Sequence, residues 1–568
     1  MKKHYILTCL MAIAMISSCI KEEGEPYIVQ RTDVNLKTLE SSIKGYMHGE
    51  VNFDTIINNS FKTVITQKDN TGDYEEKLDV FFEVSSKYTY DFTYNQDTIV
   101  SSGYVYSQTN STPVLNSEAC YKFGEAEVKN IEKEINFSGE VHNLNHNTNY
   151  YVRSYVITAK NDTCYSPIVI ENKTVQPSDV WFRRNDAQLA ARTEAISTTT
   201  EGGRVYIYGG KGNMKCYDDM WVYNTKEDTW EQKATFTDNG RSSNLVAPIE
   251  RCNGAAFLVT SSLKEDTLMY ILGGESYNGE PTKHNFIYSL KHNRFNNSAD
   301  HPYNRSHVED FQRPMTGLVA FTIEGDMEEP VHFVGMGRIT IVEGQSATAI
   351  QPDIYRYYEE YDKVDTVKAH EFWHEFTWKS VGSLSTDGHE AKDKTAEGFD
   401  QSVCVPISKK EVIIGSGISS REGNLYTNRF YKVGVNSAND IVYEKLPQVP
   451  EEFEPRANAA AFYLNYEKNG TQFDRFYVGT GVNSSGKPLK DFWAYDFGKK
   501  SWLKIADCGN VYREGAIGFK ILRIDDYFVK NFSEPQERGI ISFGNGTTNE
   551  YETVSDCRVR NDVWEYLP

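Results

Sequence analysis

The sequence predicts an all-β chain in which an N-terminal β-sandwich precedes a six-bladed β-propeller. Three observations carry that prediction. First, a glycine-containing turn recurs six times, at Gly209-Gly210, Gly273-Gly274, Gly335-Met336-Gly337, Gly415-Ser416-Gly417, Gly479-Thr480-Gly481 and Gly544-Asn545-Gly546. The period is about 65 residues, with one longer step, and repeats of that length signal solenoids or propellers. Second, each turn is entered from a β-branched or aromatic run such as Val205-Tyr206-Ile207-Tyr208 and left through a polar loop toward a second aromatic run such as Met220-Trp221-Val222-Tyr223. Third, residues ahead of the first turn lack the glycine pairs and alternate with period two instead.

Residues 1–19 read as an export signal. Lys2 and Lys3 form a basic start, Ile6 to Ile16 an apolar stretch too short to remain as a span, and Ile16-Ser17-Ser18-Cys19 ends it with small residues before a cysteine. This arrangement resembles the lipobox of bacterial lipoproteins, which implies lipidation of Cys19 and membrane attachment through several acyl chains. In the linker, residues 20–29, Lys21-Glu22-Glu23 resembles the surface-export signal of Bacteroidetes lipoproteins. The resemblance implies an outer-membrane lipoprotein exposed at the cell surface.

Residues 30–176 form the expected sandwich. In the run Asn149-Tyr150-Tyr151-Val152-Arg153-Ser154-Tyr155-Val156, Tyr151, Arg153 and Tyr155 alternate with Tyr150, Val152, Ser154 and Val156, the pattern of a half-buried strand. The run resembles a late strand of fibronectin type III-like domains, implying a seven-stranded sandwich.

Residues 177–568 form the expected propeller. In three repeats a large aromatic lies seven residues beyond the tyrosine of the third strand: Trp230 after Tyr223, Phe295 after Tyr288, Trp502 after Tyr495. That spacing is a hairpin into a fourth strand, completing a blade. Glycine pairs, a Trp-x-Tyr strand and a later tryptophan together resemble the kelch motif. The chain stops at Val563-Trp564-Glu565-Tyr566-Leu567-Pro568, so Asp179-Val180-Trp181-Phe182 is expected to supply the outer strand of the last blade.

Composition limits the partners. The formal charge is -20, and removal of Lys2 and Lys3 makes it more negative, which disfavours nucleic acid. Cys120 with Cys164 and Cys508 with Cys557 are possible disulfides within their own domains, connectivity being open. His370-Glu371-Phe372-Trp373-His374 fits a zinc-peptidase pattern, but Phe376-Thr377-Trp378 reads as strand, so we assign no metal and no cofactor.

The site expectation rests on the segment entering each innermost strand, where Arg192, Arg251, Arg313, Arg456 and Arg513 recur, with Glu397 in the fourth blade. Guanidinium suits carboxylate, sulfate or phosphate, so these residues are read as a ligand-binding funnel rim. The alternative is that they bond blade carbonyls or acidic partners such as Glu514. The loops at that rim hold Tyr217, Tyr277, Tyr426, Tyr551, Asn424 and Asn483, a mixture suited to sugars and equally to plain solvation.

The leading function is therefore non-catalytic binding of a carbohydrate or other, anionic, exported ligand. The propeller also distantly resembles sialic-acid epimerases and the kelch domain of galactose oxidase. The first resemblance implies a sugar epimerase or mutarotase with Glu397 or Glu514 as proton carrier. The second implies a copper site for which only Cys216 and Cys252 match by type. A scaffold for another envelope protein is the third class.

Overall fold

The aromatic run before each glycine turn forms the second strand of an antiparallel sheet, because both of its faces are covered by neighbouring sheets. The computed structural model describes residues 28–30, 39–47, 51–67, 74–90, 99–128, 134–145, 148–159, 161–166, 168–175, 178–233, 250–261, 266–295, 311, 313–324, 330–341, 348–361, 374–385, 396–423, 425–436, 441–468, 470–509, 511–523 and 536–568. The chain divides into two units, Met1–Pro177 and Ser178–Pro568.

The N-terminal unit is a pair of five-stranded antiparallel sheets. Ten described strands replace the seven expected, since Ile28–Gln30, Thr163–Tyr165 and other short segments also pair. The sheets face each other across Ile57, Phe61, Phe82, Tyr104, Val152 and Val156, all buried. Polar groups between them are matched. Asn59 and Asn172 exchange hydrogen bonds of 2.8 Å each way, and Tyr104 donates to the Phe137 carbonyl at 2.9 Å. The lipobox and the linker up to Tyr27 lie outside the described residues.

In the C-terminal unit six antiparallel sheets of four or five strands follow one another among the described residues. The first comprises Ile196–Thr199, Arg204–Tyr208, Met220–Asn224 and Thr229–Gln232. The aromatic spacing holds in register: Tyr223 lies opposite Trp230, Tyr288 opposite Phe295 and Tyr495 opposite Trp502. In the third sheet Phe376 and Trp378 belong to the fourth strand, His374–Ser385, while His370 to Trp373 lie outside the described residues. The last sheet is completed by Val180–Arg183, which pairs with Val563–Leu567.

Six buried clusters lie between consecutive sheets, among them Tyr206, Met269 and Phe286 between the first two, and Val205, Phe519 and Ile540 between the last and the first. The ring is therefore closed by apolar burial at every seam. Backbone bonds close it as well. The second residue of each glycine turn donates to the entry segment of the next blade: Gly210 to Arg251, Gly274 to Met315, Gly337 to Phe399, Gly417 to Arg456, Gly481 to Arg513 and Gly544 to Arg192, at 2.7–2.9 Å. These six glycines have φ between 74° and 100°, which a side chain resists. The position before each of them is less extreme, φ 54–67°, and accepts Met336, Ser416, Thr480 and Phe543. The sixth turn is thus Phe543-Gly544, two residues earlier than the glycine spacing suggests.

Candidate functional site

The funnel is built on a second closed ring of backbone hydrogen bonds. Asn253 donates to Glu194, Gly317 to Asn253, Gln401 to Gly317, Asn458 to Gln401, Gly515 to Asn458 and Glu194 to Gly515, at 2.8–3.1 Å. All six have left-handed φ of 51–66°, a conformation that Asn and Gly adopt readily. Just outside this throat, the residue preceding each ring member lies beside the residue following each glycine turn. The pairs are Thr193 with Lys211, Cys252 with Glu275, Thr316 with Arg338, Asp400 with Ile418, Ala457 with Val482 and Glu514 with Asn545. Twelve side chains of very different chemistry thus occupy equivalent places, and this is where the blades diverge.

A cavity of about 440 Å³ opens here, bounded by Glu194, Lys211, Tyr426, Asn458, Glu514 and Asn545 together with Thr193, Asn213 and Val482. Asn458 Nδ2 donates to both Glu194 Oε1 and Glu514 Oε2, 3.0 Å each, holding two carboxyl groups side by side. Burial and the Glu194 charge push Glu514 up to about 8. Burial and the Glu275 charge likewise raise Glu194. Asp400 is raised to about 6 by burial, which its ion pair with Arg338 only partly offsets. Burial pulls Lys211 down, but Glu194, Cys252 and Glu275 outweigh it, and its pKa is raised.

The arginines named from the sequence sit elsewhere. Arg192, Arg251, Arg456 and Arg513 are at most 1 % exposed, turned into the blades instead of toward the cavity. Arg192 forks onto Asp219 at 2.7 and 2.8 Å and donates to the Gly209 carbonyl at 2.6 Å. Arg456 does the same with Asp491 and the Thr480 carbonyl, and Arg513 with Asp562 and the Phe543 carbonyl. In the second blade Asn285 stands at the position of those aspartates, and Arg251 bonds the carbonyls of Gly273 and His284 at 2.9 and 2.6 Å. Each guanidinium ties a glycine turn to the strand after it, so the carbonyl-bonding alternative describes these four, three of them with an aspartate in place of Glu514.

Arg313 is exposed, and Met315 holds the repeat position in the third blade. Glu397 is fully buried and belongs to an inverted pair: Arg429 stands where Asp219 and Asp491 stand, and Glu397 accepts from Arg429, from Ser419 at 2.6 Å and from Tyr431 at 2.8 Å. Of the rim candidates none lines the cavity. Of the two proposed proton carriers, Glu514 does and Glu397 does not.

Among the loop residues, Tyr426 lines the cavity. Tyr217 lies under the Arg192 guanidinium, 4.4 Å from its ring centroid, Asn483 donates to Glu454, and Tyr551 is exposed. Asn424 lies outside the described residues. No disulfide forms among the described cysteines, so the proposed 120–164 and 508–557 bridges are absent. The residues missed by sequence reading were reachable: they stand one and two places after the arginines and one place after the glycine turns.

No curated protein matches the chain. Residues 197–237, which contain most of the first blade, match the family model for the Kelch motif. With the six sheets and their closed seams, the C-terminal unit is a β-propeller whose first blade carries a Kelch motif.

Proposed function

We propose that the propeller is a recognition head that binds a hydroxyl-rich ligand, a sugar unit of an exported glycan, in the central funnel. The observation that carries this is the cavity lining: Asn213, Asn458, Asn545, Tyr426 and Thr193 offer neutral donors and acceptors, with Lys211 and two carboxyl groups among them. The volume lies within the range of about 300–1,000 Å³ typical of small-ligand sites. Amides and carboxyls that are already oriented by one another read hydroxyls well, since each unmatched polar group left buried costs about 1–3 kcal/mol. The buried guanidiniums being committed to aspartates and carbonyls, support for an anionic ligand rests, among the described cavity-lining residues, on Lys211. Cys19 and the residues before it support attachment to the outer membrane by lipid.

A second reading, a sugar epimerase or mutarotase, is favoured by one feature. Asn458 holds Glu194 and Glu514 together, and Glu514, raised to about 8, keeps its proton at neutral pH while remaining able to exchange it. A glycan array probed with the chain lacking residues 1–19 tests both. Selective binding to neutral glycans, lost in Asn458→Ala, is the expected result. Interconversion of the bound sugar, followed by proton NMR and abolished by Glu514→Gln with binding retained, selects the enzyme. A blank array overturns both and leaves a protein partner.

A further inference from the structure

At the seam between the first two blades, three donor groups of different origin converge. Glu194 comes from the throat ring, Cys252 from the segment entering the second blade, and Glu275 from the end of the second glycine turn. One oxygen or sulfur atom of each lies within 4.8 Å of the others. The backbone enforces this: Cys252 and Glu275 exchange hydrogen bonds of 3.0 and 2.9 Å, and the Asn253 amide donates to the Glu194 carbonyl at 2.9 Å. We propose that Glu194, Cys252 and Glu275 form a binding site for a borderline-soft divalent metal ion of the zinc type, with its fourth position open to the funnel.

Each carboxylate is already oriented by an outside donor, as metal ligands generally are. Asn458 Nδ2 holds Oε1 of Glu194 at 3.0 Å, and Thr316 Oγ1 holds Oε2 of Glu275 at 2.9 Å. One oxygen of each therefore remains for the cluster. The thiol sets the class of ion: one sulfur with two carboxylate oxygens suits zinc and its neighbours, whereas magnesium and calcium take oxygen alone. Three protein ligands with a fourth place facing a cavity is the arrangement of zinc sites that act on a ligand. Glu194 reaches the cavity, so the ion has a way in, and Lys211, which borders the same cavity and faces the same three groups, is the cation that it would displace. The neighbouring Cys216 thiol, hydrogen-bonded with Cys252, is outside the triad. The site does not depend on which ligand the funnel takes.

The test uses Co²⁺ with the chain lacking residues 1–19, its thiols kept reduced by a phosphine. The expected result is saturable binding with a thiolate-to-cobalt charge-transfer band that Zn²⁺ abolishes, that Cys216→Ser keeps and that Cys252→Ser loses. Loss of one ligand in Glu275→Gln or Glu194→Gln should weaken Zn²⁺ by more than about 100-fold, beyond the roughly 10- to 100-fold lost with an outer-shell partner. Absence of the band, or a band that survives Cys252→Ser, overturns the site. Should Cys252→Ser fail to fold, as read by circular dichroism, unchanged Zn²⁺ affinity in both glutamine variants overturns it equally.

Discussion

At the scale of single residues, the buried arginines show how a charge can recur for reasons of architecture. Arg456 is fully buried and forks onto Asp491, so removing it leaves a carboxylate that burial alone would disfavour. Arg456→Ala is expected to destabilise the propeller by about 3–5 kcal/mol, measured by denaturant unfolding. A variant that kept wild-type stability but lost ligand would restore the rim assignment. Asp562 gives the matching pH test. Burial raises it, but Arg513 more than compensates, and the carboxyl is held down at about 2. A carboxylate depressed in the native state contributes stability above its unfolded pKa, near 4, and that contribution is lost as pH falls toward 2. Asp562→Asn should therefore lower stability at pH 7 and flatten its fall between pH 4 and 2, as followed by thermal melts. The recurrence of arginine was legible in the sequence. Its direction was not, because only the strand register shows that the guanidinium lies beneath the turn.

At the scale of elements, the glycine turn is the unit that joins blade to blade. Gly481 has φ +90°, and a Cβ there would lie 2.6 Å from the Ala457 carbonyl oxygen, while its amide donates to Arg513 at 2.8 Å. Gly486, at φ +72°, has nothing within 4 Å of such a Cβ. Gly486→Ala should cost only the left-handed penalty of about 1–2 kcal/mol, and Gly481→Ala clearly more. Comparing the two unfolding free energies checks this, and equal costs would mean the seam bond contributes nothing. The fourth blade shows that the element tolerates exchange of its charges. Glu397, two places before the repeat position held by Phe399, pairs with Arg429 in the reverse sense of Arg456 with Asp491, so the entry segment is still tied to the third strand. A pattern based on arginine alone loses its register there, which is why Glu397 was legible as an exception but not as a pair.

At the scale of the whole molecule, stability depends on closure. Trp181 is 3 % exposed, packs on Phe462, Phe492 and Tyr566, and donates to the Ala506 carbonyl at 2.9 Å, so the first strand of the propeller fastens its last blade. Trp181→Ala is expected to cost about 3–5 kcal/mol and to lower the melting temperature of the propeller; an unchanged midpoint would argue against closure by this strand. The sequence by itself determined the all-β class, the repeat, the paired aromatics of the third and fourth strands and the closing segment. Those features follow from local alternation, glycine conformation and spacing, which are written along the chain. The tertiary structure alone decided which residues face the funnel. Glu194 with Lys211, Cys252 with Glu275, Asn458 and Glu514 come from four different blades, and one or two residues of register separate Glu194, Cys252, Asn458 and Glu514 from arginines that point into the blade. So small a choice of register is set by the closed backbone ring, and that ring exists only once all six blades have met.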